Sequence, residues 1–475
     1  MMDKPWLQQY DTQVPPSLKY PVLPLDHFLL HAAHKFPKRT AIITSAPLRD
    51  RQLAARQTYR QLNNMVNRFA AGLQQRQVRK GDRVAIALPN CAEFVIAAYA
   101  VWRIGGIVVG LNPNARLEDV AHVLDDSGSE TLIIPQRLLP GVQSIRSRTN
   151  LRQVVISQAA DFLPWPVKWN GRETVPRQFK ANNSASTLSF RRVLRSKMAR
   201  LKLVEVMPPD TAVILYPHVN AHNQPGISLS HRNLVCSATM SNHWLPLQPA
   251  QETVLALMPF YDSFGLTAVL TASVANAATL VLMHNPRDIG HSLQAIQQYR
   301  VTFLPGVPKL FQAVAEHSRQ RQYNLSSIHL ALSSKAALTL TLRQQFESLT
   351  GGRLLDAYGL TEAGGLVALD PYRNPRSDAV GVPLPDTDVQ IADVSLGTEA
   401  LSVGEIGEVL VRGPQVMSGY WQRPVITAEV VRTGPDGRSG WLFTGDLGYL
   451  DRDGYLHITA KRQDPLTRGA PRPLL

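Results

Sequence analysis

Short apolar runs, each followed by a segment of helical character, recur along most of this chain, and that alternation narrows its folds more than any other feature. The runs lie at 83–88, 106–110, 131–134 and 153–156, and they resume at 211–216, 254–258, 279–283, 328–332 and 353–357. Such runs suit strands covered on both faces, and the helical segments between them suit parallel βαβ units. No repeat of solenoid or propeller period is present. After about residue 370 the pattern changes to short strands punctuated by turn signals, among them Gly404-Glu-Ile-Gly407, Gly434-Pro-Asp-Gly437 and Asp451-Arg-Asp-Gly454. The predicted architecture is α/β: two lobes with mostly parallel sheets, at about 20–210 and 211–370, and a small β-barrel-like subdomain at about 371–460.

The chain has 475 residues, 44% hydrophobic and 18% charged, which fits a globular protein with a sizeable core. Two cysteines, Cys91 and Cys236, build neither a disulfide framework nor a zinc site. The start lacks the apolar run of a signal peptide, so a cytoplasmic location is expected. The segment 84–111 is apolar enough to suggest a membrane span. Asn90, Glu93 and Arg103 interrupt it, and it reads better as strand, buried helix and strand.

Fifty basic against 36 acidic residues give a net charge of +14, which favours anionic partners. Much of the excess sits between Trp165 and Lys202, where basic residues surround Trp165, Trp169, Phe179 and Phe190. Two readings of 165–202 stand side by side: peripheral contact with an anionic membrane at its inner face, or a solvated loop.

Residues 216–234 have the frame of a phosphate-binding segment. An apolar strand enters, and Ser230-His-Arg-Asn233 supplies a helix N-cap and first turn. A phosphate loop between them needs glycines, hydroxyls and a lysine. This stretch holds one glycine, Gly226, and no lysine.

Further along, Tyr358-Gly-Leu-Thr-Glu362 follows a strand and offers a flat ring, a glycine for close approach, a hydroxyl and a carboxylate. Trp441-Leu-Phe-Thr-Gly-Asp446 adds a carboxylate able to accept from two ribose hydroxyls. With 404–412, Gly419-Tyr-Trp421 and 445–455, in this order, the chain resembles the adenylate-forming (AMP-binding) superfamily. Met2-Asp-Lys-Pro-Trp6, Lys80-Gly-Asp-Arg-Val84, Leu111-Asn-Pro113 and Asp126-Ser-Gly128 look most like bacterial long-chain fatty acid–CoA ligases. The resemblance runs from the amino terminus to about Asp464.

It implies an αβαβα large domain over 1–464 and a two-step acid–thiol ligation. A carboxylate attacks ATP to give an acyl-adenylate, and CoA then takes the acyl group. The implied partners are a fatty or other carboxylic acid and CoA, with no nucleic acid. By position, Tyr358 and Gly359 meet adenine, Thr361 touches phosphate, Glu362 holds Mg²⁺ and Asp446 holds the ribose. The small C-terminal lid of the family, with its lysine, is expected to be absent, and 465–475 reads as an unstructured tail.

The departures from the family pattern fall where catalysis is expected. Pro217, His218, Asn220, His222, Asn223 and Gly226 stand in the register of the phosphate loop. Two prolines and a valine do not form a nest of backbone donors. His218 and His222 are mostly neutral near pH 7 and read as surface residues. Asp262 replaces a histidine near the acyl carboxylate, which it repels unless it is protonated. Lys335 stands where a small wall meets adenine, to crowd it or to find a phosphate. Lys461 replaces an arginine near the hinge and loses its bidentate geometry.

Other signals fail. Asp451-Arg-Asp-Gly454 is a hairpin turn rather than a calcium loop, because its glycine comes too early. His284 and His291 lack metal-ligand spacing. Three readings follow: a fatty acid–CoA ligase with impaired catalysis, a non-catalytic acyl- or nucleotide-binding relative, or a frameshifted remnant.

Overall fold

The computed structural model describes residues 4–48, 51–158, 162, 186–195, 201–217, 225–283, 287–317, 323–395 and 397–461. Its first sheet has eight strands, in the order Gly419–Tyr420, Ile227–Ser230, Thr211–Leu215, Ile107–Gly110, Arg83–Ile86, Thr131–Pro135, Gln153–Ser157 and Thr187–Ser189. From Thr211–Leu215 onward the pairings are parallel, and the first two strands add to that edge antiparallel. The central strands are buried almost throughout, which is why they read as unbroken apolar runs. The segment that mimics a membrane span is strand, helix and strand. Helix Ala92–Arg103 is buried from Ala92 to Trp102, and Arg103 closes it with a forked ion pair to buried Asp26. Among the described residues no helix is long and apolar enough to cross a membrane.

The second sheet has nine strands: Val382–Pro383, Ala368–Leu369, Arg353–Tyr358, Leu330–Ser334, Phe303–Gly306, Thr253–Leu255, Thr279–Met283, Thr40–Leu48 and Arg51–Thr58. Sheet membership therefore does not divide at residue 210. The hairpin at 40–58 belongs to the second sheet, and the strands at 211–230 belong to the first. Apolar content marks Thr211–Leu215 as an interior strand but cannot say of which sheet. Its partner, Ile107–Gly110, decides that. The hairpin escapes a sequence reading because its edge strand, Arg51–Thr58, is largely polar.

The β-rich region after residue 370 forms a five-stranded antiparallel sheet built on Asp388–Ala392, Gly407–Arg412 and Trp441–Leu450. Asp451-Arg-Asp-Gly454 is the hairpin turn into Leu456–Lys461, with Gly454 at φ +85° and no room for a Cβ beside Trp6. Most of the basic stretch at 165–202 lies outside the described residues. One of its aromatics is decided: Phe190 is fully buried and stacks on Phe69 at 4.2 Å, so it does not face a membrane.

A buried charged cluster supports the strand that ends at Tyr358. Arg343 donates to Asp370 at 2.6 Å, and the amide of Asp356 donates to the same carboxylate at 2.9 Å. Burial pushes Asp370 up to about 6 against the pull of Arg343. Burial first, and then the charge of Asp370, push Asp356 up to about 7 from 3.8. The folded state thus holds a proton that the unfolded chain releases above 3.8. The stabilisation is complete below that value and is lost as pH rises through about 7. Urea unfolding should show stability falling by roughly 2–3 kcal/mol between about pH 5 and about pH 8. In Asp356→Asn the fall should shrink; an unchanged slope would assign it to other groups.

Candidate functional site

The strands Leu330–Ser334 and Arg353–Tyr358 run parallel, so their carboxyl ends open at one edge of the second sheet, where α/β proteins place ligands. Tyr358 is the last residue of its strand, and its hydroxyl donates to Oδ2 of Asp446 at 2.7 Å. Burial and the charge of Asp446 hold this phenol well above its ordinary range. The residues expected to meet adenine and ribose therefore form one buried pair. Gly359 follows, where a Cβ would stand 2.1 Å from the carbonyl oxygen of Gly365. That close approach folds the loop back on itself, with the amides of Gly365 and Val367 donating to Leu360 and Tyr358. Thr361 starts a single 3-10 turn, and its hydroxyl is 3.1 Å from that of Ser263. The half-exposed Glu362 accepts at Oε1 from the Tyr420 hydroxyl at 3.3 Å, and its carbonyl accepts from the Met417 amide at 2.7 Å.

The segment with a phosphate-loop frame is the connection of an antiparallel hairpin, Thr211–Leu215 to Ile227–Ser230. His218, Asn220, His222 and Asn223 lie outside the described residues; Pro217 is half-buried at the near end. At the far end a Cβ on Gly226 would meet Ile214 at 2.4 Å and the Tyr216 ring at 2.7 Å. This glycine closes the hairpin sterically, a role its reading as a loop residue did not foresee. Tyr216 and Arg423 both donate to Asp126 at 2.7 Å, and the Trp421 amide donates to the Gly226 carbonyl at 2.7 Å. Ser230 caps helix His231–Trp244 in a capping box with Asn233, as its sequence predicts. Burial pushes His231 down to about 4, and its Nδ1 accepts from the Leu25 amide, so it serves packing rather than base catalysis.

Asp262 precedes the buried π-helix Gly265–Thr271, and its Oδ1 accepts from the Phe264 amide at 3.1 Å. Its other oxygen is ion-paired with Lys335, which sits just past Leu330–Ser334 at φ +76°. Asp262 does not present a lone negative charge, and Lys335 is turned toward it. Lys461 closes the strand Leu456–Lys461 in register with Asp446. Among the described residues no group of three His, Cys, Asp or Glu could hold a metal. Tyr420 and Ser263 join the candidate site without a motif of their own: Tyr420 stands within Gly419-Tyr-Trp421, and Ser263 carries no sequence signal beyond its place next to Asp262.

Comparison with known proteins agrees with this geometry. The family described as AMP-binding enzyme matches residues 29–421. A long-chain-fatty-acid–CoA ligase of Bacillus subtilis (strain 168) is 32% identical over 473 residues, spanning 98% of this chain and 81% of the relative. One from Yersinia pestis is 32% identical over 480 residues, with the same shares. The crystal structure of a long-chain-fatty-acid–CoA ligase from Archaeoglobus fulgidus superposes with a TM-score of 0.81 at 25% identity, over 96% of this chain and 87% of that one. The chain belongs to the AMP-binding enzyme family, among its acyl-CoA synthetase-like, adenylate-forming members.

Proposed function

We propose that this protein is a fatty acid–CoA ligase relative that keeps the nucleoside side of its site and is impaired in forming the acyl-adenylate. In that step a carboxylate oxygen attacks the α-phosphorus of ATP while the bond to pyrophosphate breaks. The CoA thiol then displaces AMP. Tyr358 and Gly359 would meet adenine, Asp446 the ribose and Thr361 a phosphate, with Lys461 near the hinge. Glu362 is an oxygen donor of the kind Mg²⁺ takes, half-exposed and oriented by Tyr420. A bound Mg²⁺ would offset phosphate charge.

The observation that carries the impairment is the hairpin connection. Between Tyr216 and Gly226 it has no lysine and no other glycine, and Gly226 is committed to packing on Ile214 and Tyr216. Nucleotidyl transfer draws on positioned donors around the phosphates, and those donors are what this connection lacks. A non-catalytic acyl- or nucleotide-binding role is the second reading, favoured by the Tyr358–Asp446 pair that stands without the loop.

ATP–pyrophosphate exchange with a long-chain fatty acid should run about 100-fold or more below that of an intact ligase, the usual effect of losing oriented donors. Restoring the family's glycines and lysine between Pro217 and Pro225 should raise the rate within the same chain. Exchange at the intact rate in the unaltered protein would overturn the impairment.

The Asp262–Lys335 pair sits where the acyl carboxylate is expected, with side chains 19% and 41% exposed. At that exposure the pair contributes about 1 kcal/mol or less to stability, so its substitution should leave the fold intact. Removing the lysine alone uncovers a negative charge. Fluorescence titration with a long-chain fatty acid should show Lys335→Met binding about fivefold more weakly, and Asp262→Asn/Lys335→Met recovering most of the loss. Equal affinity in all three proteins would place the acyl carboxylate elsewhere.

A further inference from the structure

The second sheet carries a cavity at the edge opposite the candidate site. Thr40, Thr253 and Thr279 line it, and each is the first residue of its strand. Those strands are connected through parallel pairings to the ones that end at Ser334 and Tyr358. The cavity, of about 330 Å³, also receives Arg39, Arg56 and Arg300, and no carboxylate is among its lining residues.

Backbone carbonyls place the side chain of Arg39, and an aromatic ring lies beside that of Arg56. Arg39 donates to the carbonyls of Ala277 at 3.3 Å and Glu252 at 3.0 Å. Arg56, on the edge strand, lies 5.8 Å from the centroid of the Tyr299 ring. Arg300 ends helix Ile289–Tyr299 at φ +49°, a left-handed conformation uncommon for a residue with a side chain. The nearby carboxylate, Glu252, is buried and turned to other partners: the Gln248 amide, the Thr302 hydroxyl and His329. Three arginines thus line one cavity with no carboxylate among its lining residues, an arrangement that suits an anion. A second cavity of about 180 Å³ shares Arg300 and is otherwise lined by uncharged polar residues, including Asn324, Ser326 and Ser327.

We infer that Arg39, Arg56 and Arg300 form a binding site, separate from the adenylate-forming site, for the phosphate of a polyol phosphate ester, whose hydroxyl-bearing part enters the second cavity. Guanidinium forks match phosphate oxygens in pairs, and amides and hydroxyls match a polyol. The same chemistry is found in a free metabolite and in a phospholipid headgroup.

Two measurements on the full chain separate these sources: calorimetric titration with glycerol 3-phosphate, and flotation with vesicles of phosphatidylcholine with or without phosphatidylglycerol. Arg56 and Arg300 are exposed, so Arg56→Gln/Arg300→Gln should keep the parent's thermal melting. The double variant should weaken whichever interaction is present by about tenfold or more, and the Arg→Lys pair should fall between it and the parent. Binding of the free ester supports a soluble ligand. Binding only of vesicles containing phosphatidylglycerol supports a headgroup. Absence of both interactions, or equal binding by the double variant, overturns the site.

Discussion

The side chain of Asn233 holds the candidate site together. Its oxygen accepts from the amide and hydroxyl of Ser230, at 2.9 and 2.7 Å, which caps the helix. Its nitrogen donates to the carbonyls of Pro414 and Val416, at 2.9 and 2.7 Å. A buried amide with all its bonds made fixes orientation as well as position. The chain beyond Val416 is thereby aimed so that Gly419–Tyr420 pairs with Ile227–Ser230. A strand that short makes few backbone bonds of its own, and it depends on such an anchor. From it, Tyr420 reaches Glu362 and Trp421 reaches Gly226. The hairpin base, the carboxylate and the turn that carries it are then one hydrogen-bonded unit.

The sequence made the interior strands legible because both of their faces are buried, and the α/β class followed from their spacing. The N-cap at Ser230 and the turn at Asp451–Gly454 were legible for local reasons, since backbone geometry there is set within a few residues. Sheet membership was not legible. Thr211–Leu215 and Thr253–Leu255 have similar composition, and only long-range pairing separates them. The hairpin at 40–58 was obscured because its edge strand, Arg51–Thr58, is largely polar. In the candidate site, motifs single out Tyr358, Thr361, Glu362 and Asp446, whereas the contact of Ser263 with Thr361 spans 98 positions and leaves no local trace.

Asp262 and Lys335 show how residues read singly can mislead. Alone, the aspartate repels a carboxylate and the lysine crowds a base. Together they are a neutral pair joining the turn before the π-helix to the end of a neighbouring strand. Each charge supplies the counter-ion of the other, so either substitution made by itself leaves a charge uncompensated.

The same separation of fold from chemistry governs the hairpin. Its base is held by antiparallel pairing, by Gly226 against Ile214, and by Tyr216 with Arg423 on Asp126. None of these contacts uses the residues from His218 to Asn223. Loops tolerate substitution when the flanking elements carry the burial, whereas an anion site needs each donor in place. A phosphate loop can therefore lose its glycines and lysine and leave the sheets unchanged.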